Sequence, residues 1–233
     1  MLVSRTVMIG GIAAAAVCAA IAASFALNPQ EAPEDAGTQL SDAPAAPPEV
    51  ISLLLDNGYP PLGDEDAPIT LVEFGDYQCH FCNVFFHNTE DDIISNYVDS
   101  GLVKMVFRDF TIIGPDSITA AHGARCAEEQ GLFWEYHDAV YSRWDGENTG
   151  WASLENLHTY AGEAGLDVQA WSECMDAGEH YDLVSASTQD ARSLGLGGTP
   201  AFFVISPSGV VLKIQGAQPF EVFERVFEET RGT

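Results

Sequence analysis

Along the chain, the spacing of apolar and polar positions changes character several times, and each change marks an element. Residues Ile69–Tyr77 (ITLVEFGDY) are rich in β-branched and aromatic side chains, follow the turn-like GDEDAP, and predict a strand. From His80 to Val98 the apolar positions Val84, Phe85, Ile93, Ile94 and Tyr97 fall at loose helical spacing. Gly101–Phe110 (GLVKMVFRDF) predicts a second strand. A long helical stretch follows from about Ser117 to Leu194, interrupted at DGENTG and GEAGLD. PAFFVIS and VVLKIQ, joined by the turn Pro207-Ser208-Gly209, predict a β-hairpin over Pro200–Gln215. Phe220, Phe223, Val226 and Phe227 share one face of a last helix, which should pack on the sheet. Strand, helix, strand, helical block, hairpin and helix, in that order, make an α/β fold.

Two stretches precede these elements. Val7–Leu27 (VMIGGIAAAAVCAAIAASFAL) carries no charge over 21 residues, enough to span a bilayer as a helix. Residues 1–27 therefore read as a signal peptide or an N-terminal membrane anchor, with a small-x-small cleavage site at Ser24-Phe25-Ala26. Arg5 is the basic residue beside the run, so positive-inside reasoning keeps it in the cytoplasm and exports the chain beyond Leu27. Cys18 lies inside this run after Ala15-Ala16-Val17, a poor lipoprotein site, and reads as a passive apolar residue. Residues 28–50 hold five prolines, five acids and no base, a composition that predicts an extended, disordered linker. The folded domain is then 51–233, with its helical insertion at about 115–180.

Charge narrows the function classes. Of the 233 residues 35 are acidic and 9 basic, a formal net charge of −26, which argues against nucleic acid as a partner. Anionic lipid surfaces are disfavoured for the same reason, leaving the bilayer as a partner through residues 7–27 alone. Such a surface fits either a high-salt habitat, where salt screens the repulsion, or plain solubility.

Four cysteines lie beyond the N-terminal run: Cys79, Cys82, Cys126 and Cys174. An even count in an exported chain favours disulfide chemistry. Cys79 and Cys82, two residues apart, form one unit, which leaves Cys126 and Cys174, favoured as a structural disulfide clamping two helices of the insertion over two buried free thiols or a second redox pair. Zinc needs four ligands, and this C-x-x-C has neither a second pair nor a fourth ligand beyond His80. A purely structural bridge over so short a loop removes little chain entropy. Redox chemistry fits better: a strand ending before Cys79 and a helix beginning there would stabilise its thiolate, with Cys82 one turn deeper to resolve a mixed disulfide. Glu73, six residues before Cys79, is an acid in an apolar strand, and burial there would need a reason. Pro200 opens a strand in GGTPAFF, where a cis bond is admissible. His137 in FWEYHD reads as a core residue among aromatics.

Taken together, GDEDAPITLVEFGDYQCHFC, FRDFTIIGPDS, CAEEQGLFWEYHDAVY and GTPAFFV resemble the DsbA-like family of thioredoxin-fold thiol–disulfide oxidoreductases, from about Leu62 onwards. The resemblance implies a thioredoxin fold with an inserted helical domain. It implies that Cys79 exchanges disulfides with substrates, that Cys82 resolves, that Thr199-Pro200 forms a cis-proline loop facing them, and that Glu73 is a buried acid moving protons at Cys82. Many relatives carry proline between the cysteines; here the pair is His80-Phe81, and a protonated His80 would stabilise the Cys79 thiolate and favour an oxidase. The function expected is extracytoplasmic disulfide exchange with exported proteins, as an oxidase, needing no bound cofactor but a redox partner to reset it. The same residues with the opposite poise would make a reductase or isomerase. A chaperone or metal-handling domain is the non-catalytic rival.

Overall fold

The computed structural model describes residues 44–231. Helix α1 (Pro48–Leu55) starts with proline in its first turn, where no N–H is needed. Strand β1 (Ile69–Gly75) is followed by a helical run comprising α2 (His80–Phe85), a π-helical turn (Phe86–Glu90), α3 (Asp91–Ile93) and a second π-helical turn (Ile94–Val98). After β2 (Val103–Asp109) come α4 (Pro115–Glu129), α5 (Phe133–Tyr141), α6 (Leu154–Glu163), α7 (Val168–Ala177) and α8 (Tyr181–Ser193). Strands β3 (Ala201–Ile205) and β4 (Val211–Gln215) and helix α9 (Phe220–Thr230) close the fold.

The sheet order is β2-β1-β3-β4. β1 pairs parallel with β2 and antiparallel with β3, which forms the hairpin with β4. Every residue of β1 is buried, as expected of a central strand covered on both faces. The period-two alternation sorts its side chains. Ile69 and Leu71 pack with Phe85, Ile93, Phe202, Phe223 and Phe227, under α2, α3 and α9. Val72 and Phe74 pack with Leu54, Val106, Ala191 and Phe203, under α1 and α8. The insertion, α4 to α7, packs Ala120, Tyr136, Tyr141, Leu157, Trp171 and Met175 into one core with Tyr77, Cys79, Cys82 and Phe107. A disulfide joins Cys126 of α4 to Cys174 of α7, with Cα atoms 5.8 Å apart.

The expected breaks have local causes. GEAGLD ends α6 and caps α7, because Asp167 Oδ1 accepts hydrogen bonds from the Gln169 and Ala170 N–H groups at 3.0 and 3.1 Å. Gly178, at φ +68°, lets the chain leave α7 in a left-handed conformation. Gly209 (φ +83°) does the same in the hairpin turn.

One boundary needs correction. The linker expected to run to Val50 ends earlier: α1 begins at Pro48, and the Ala46 N–H already donates to the Gly209 carbonyl at 2.8 Å. Burial of Leu54 against the sheet supplies the apolar anchor that this proline-rich composition concealed. Among the described residues no helix is long and apolar enough to cross a membrane. Val7–Leu27, its cleavage site and most of the acidic linker lie outside the described residues.

Candidate active site

Where β1 ends, a tight turn delivers the chain to Cys79, the N-cap residue of α2. Asp76 organises that turn. Its Oδ1 accepts from the Gln78 N–H (2.9 Å), and its Oδ2 accepts from the N–H groups of Ile112 and Ile113 (2.8 and 3.0 Å). Burial raises its pKa and these bonds oppose the rise. The Cys79 N–H donates to the Asp76 carbonyl at 2.9 Å, and the Cys79 carbonyl accepts from the Asn83 N–H at 3.1 Å, so the first turn of α2 grows directly from this residue.

Both thiols are free and the two differ in environment. Cys79 Sγ donates to the Thr199 carbonyl at 3.4 Å. Its pKa is lowered to about 7, chiefly by a hydrogen bond with the Cys82 thiol, with help from Thr199 and the backbone N–H groups of Cys82 and Phe81, against the opposing effect of burial. Cys82 is 1% exposed, and burial pushes its pKa well up, reinforced by Cys79 and Glu73. The arrangement therefore holds one thiol ready to ionise above a second that stays protonated.

Glu73 sits mid-strand, paired with Phe107 of β2 and Phe202 of β3, on the sheet face that carries Leu71. Burial raises its pKa to about 8, with a further push from Cys79. The Thr199–Pro200 peptide bond is cis, and Pro200 leads into β3. The structure thus brings together Cys79, Cys82, Thr199, Pro200 and Glu73, from three separate stretches of chain. The His80 ring packs against those of Phe81 (centroids 5.2 Å apart) and Trp144 (5.4 Å).

A loop of the insertion is fastened over this turn. Trp144 Nε1 donates to the Gln78 carbonyl (2.8 Å), the Asn148 N–H donates to Gln78 Oε1 (2.9 Å), and Gln78 Nε2 donates to Ser117 Oγ (3.1 Å). The His80 N–H donates to Glu147 Oε1 at 3.0 Å. Glu147 and the Cys79 thiol thereby share one helix end: Glu147 accepts the N–H of His80, and the backbone N–H groups of Phe81 and Cys82 favour ionisation of Cys79.

Known proteins place this architecture. The thioredoxin family description matches residues 57–206, well over half of the chain. A probable disulfide bond formation protein D of Bacillus anthracis is 30% identical over 147 residues, covering 61% of this chain and 68% of that one. The chain belongs to the DsbA-like thioredoxin family. It is a thiol–disulfide oxidoreductase. Among solved structures, oxidised BdbD from Bacillus subtilis shares the fold at a TM-score of 0.68 and 24% identity, covering 75% of this chain and 94% of that chain. A thioredoxin-like oxidoreductase from Silicibacter pomeroyi aligns at a TM-score of 0.64 and 27% identity, over 81% and 99% of the two chains.

Within this DsbA-like frame, sequence reasoning passed over several residues that shape the site. Asp76 and Gln78 looked like ordinary turn residues beside the cysteines, yet both are at most 1% exposed and hold the turn. Glu147 lies 67 residues beyond the N–H it accepts from, so no local signal marks it. Glu90 is buried at 2% exposure beneath the site, and a polar residue at the Cys82-facing helical spacing was the cue available.

Proposed function

We propose that the protein is an extracytoplasmic disulfide oxidase, accepting electrons from the thiols of exported proteins at Cys79 and Cys82. The observation that carries this reading is geometric: Cys79 caps the start of α2 against the Thr199 carbonyl, ahead of the cis Thr199–Pro200 bond, with Cys82 buried one turn deeper. A substrate thiolate attacks Cys79 Sγ of the oxidised pair. The Cys79–Cys82 bond breaks as a mixed disulfide forms, and Cys82 leaves, taking a proton from Glu73. A second substrate thiolate attacks the substrate sulfur of that mixed disulfide, closing the substrate disulfide and releasing Cys79 as thiolate. Two electrons have then passed to the protein, and a redox partner must remove them. The Thr199-Pro200 loop lies against Cys79 and, with the 59%-exposed ring of Phe81, offers backbone and apolar surface to an extended peptide.

The Cys126–Cys174 bridge supports work in an oxidising compartment, and residues 1–27 supply the export signal or tether. One observation favours the reductase or isomerase direction instead: a Cys79 pKa of about 7 equals that of thioredoxin, about 7 and far above DsbA at about 3.5. Equilibration of the Cys79–Cys82 pair with glutathione decides between them. A potential well above about −270 mV, the thioredoxin value, together with oxidation of a reduced client that Cys79→Ser abolishes, is expected. A potential at or below that value reverses the direction of flow. Client oxidation undiminished in Cys79→Ser, or stoichiometric zinc or copper on the pair, removes the redox reading.

A further inference from the structure

Further along the helical run that begins at Cys79 lies another buried acid, which takes no part in the exchange steps. Glu90 closes the π-helical turn Phe86–Glu90 and is 2% exposed. π-Helical turns add a residue to the helix and recur at functional sites. Facing Glu90 is His137 of α5, 1% exposed, whose Nδ1 lies 3.1 Å from Asp138 Oδ1 and whose Nε2 is buried with no hydrogen-bond partner. The acidic and ring atoms of Glu90, His137 and Asp138 all lie within 4.8 Å of one another. The Asp138 side chain is 62% exposed, so the cluster starts in the interior and ends in solvent. Its inner end meets the site: Glu73 is paired across the sheet with Phe107, whose ring centroid lies 5.1 Å from that of His137, and Glu73 acts electrostatically on both Glu90 and Cys82.

We propose that Glu90 and His137 are positioning residues that carry protons between Glu73 and the surface carboxylate of Asp138, so that Cys82 exchanges its proton with solvent through the protein interior. The inference rests on the role proposed for Glu73 in the exchange. When Cys82 leaves as thiolate it takes the Glu73 proton. Glu73 is then an ionised acid in a buried strand, a costly state until a proton returns. Glu90 hands its proton inward, His137 reprotonates Glu90, and Asp138 or solvent reprotonates His137; in the resolving direction every transfer reverses. Separations below 4.8 Å close to hydrogen-bond distance by small side-chain rotations. Burial raises the pKa of both Glu90 and Glu73 to about 8, so each holds a proton at neutral pH. The titratable groups facing this path are Cys79, Cys82 and Tyr141 around Glu73, with Asp91 and Asp138 near Glu90 and Tyr77 against His137.

The experiment forms the mixed disulfide of Cys79 with glutathione and follows its release by Cys82 between pH 6 and 9. Glu90→Gln and His137→Phe are each expected to slow release about tenfold near neutral pH and to flatten its pH dependence, a modest share of the range typical of proton-transfer catalysis. The Cys79 pKa, read from thiolate absorbance, stays at about 7, which a general distortion of the site would move. In the unsubstituted protein the release step should slow about twofold or more in deuterium oxide, as rate-limiting proton transfer requires. Normal rates and profiles in both variants, with release slowed only by Glu73→Gln, refute the path and leave Glu73 its role. A Glu73→Gln variant as fast as the parent removes both readings. No isotope effect refutes the path without any substitution. Tight zinc binding that Glu90→Gln abolishes would instead make the cluster a metal site and overturn it.

Discussion

Glu73 should make the folded chain lose stability as pH rises, and Glu73→Gln should remove its share of that loss, leaving the share of Glu90, which burial also raises to about 8. In the folded chain the carboxyl titrates at about 8, against an ordinary 4.5, because burial disfavours its charge. Below about pH 4.5 it is protonated both folded and unfolded and has no effect. Between 4.5 and 8 the unfolded chain releases the proton while the folded chain retains it, so unfolding gains about 1.4 kcal/mol per pH unit. Above 8 both states are ionised and the loss levels off. Between pH 5 and 8 this single residue should therefore cost about 3 to 4 kcal/mol, a large part of an ordinary domain's stability. Urea unfolding of the reduced Cys79–Cys82 form at pH 5, 7 and 8 measures it, with the Cys126–Cys174 bridge intact. The variant's stability at one pH mixes in the desolvation of a new amide, whereas its slope with pH does not. A variant that loses stability with pH as steeply as its parent would falsify the assignment of Glu73 as a buried, neutral acid.

Two further outcomes are expected. Replacing Cys126 and Cys174 together by alanine should cost about 4 kcal/mol in urea unfolding, the chain entropy of a loop closed over 48 residues; a loss below about 1 kcal/mol would mean that α4 and α7 hold together without the bridge. Glu147→Gln keeps an acceptor for the His80 N–H but removes a negative charge from the helix end shared with Cys79. The Cys79 thiolate titration should then move to lower pH, raising the thiolate fraction roughly twofold at low salt and less at high salt, where screening weakens the repulsion. An upward or salt-independent movement would refute the competition between the two anions.

Much of this could be read from the chain because its signals were local. β1 and β2 announce themselves by β-branched and aromatic runs, the hairpin by its Pro-Ser-Gly turn, and α9 by apolar residues on one face. The C-x-x-C unit, the acid six residues before it, and Thr199-Pro200 are recognisable as a set, because the family likeness supplies their spacing. Glu90, His137 and Glu147 were not legible in the same way. His137 sits among Phe133, Trp134 and Tyr141, where a core histidine is the ordinary reading. Its nearness to Glu90 depends on how α5 docks against the π-helical turn, 47 residues earlier in the chain, which no periodicity encodes.

By itself, the sequence determined which residues could do chemistry and that the chain is an α/β protein of this family, and its charge argues against a polyanionic partner. These conclusions come from composition and short-range spacing, properties each segment carries with it. The tertiary structure alone decided the electrostatics. Placing Glu73 in the central strand raises its pKa, setting Cys79 against the Cys82 thiol at the start of α2 lowers its own, and burying Cys82 keeps it protonated. It also set the ring of His80, the residue expected to tune the redox poise, against Trp144, and its N–H on Glu147. The physical reason is that a pKa is set by desolvation and by neighbours within a few ångströms, and those neighbours come from segments far apart in the chain.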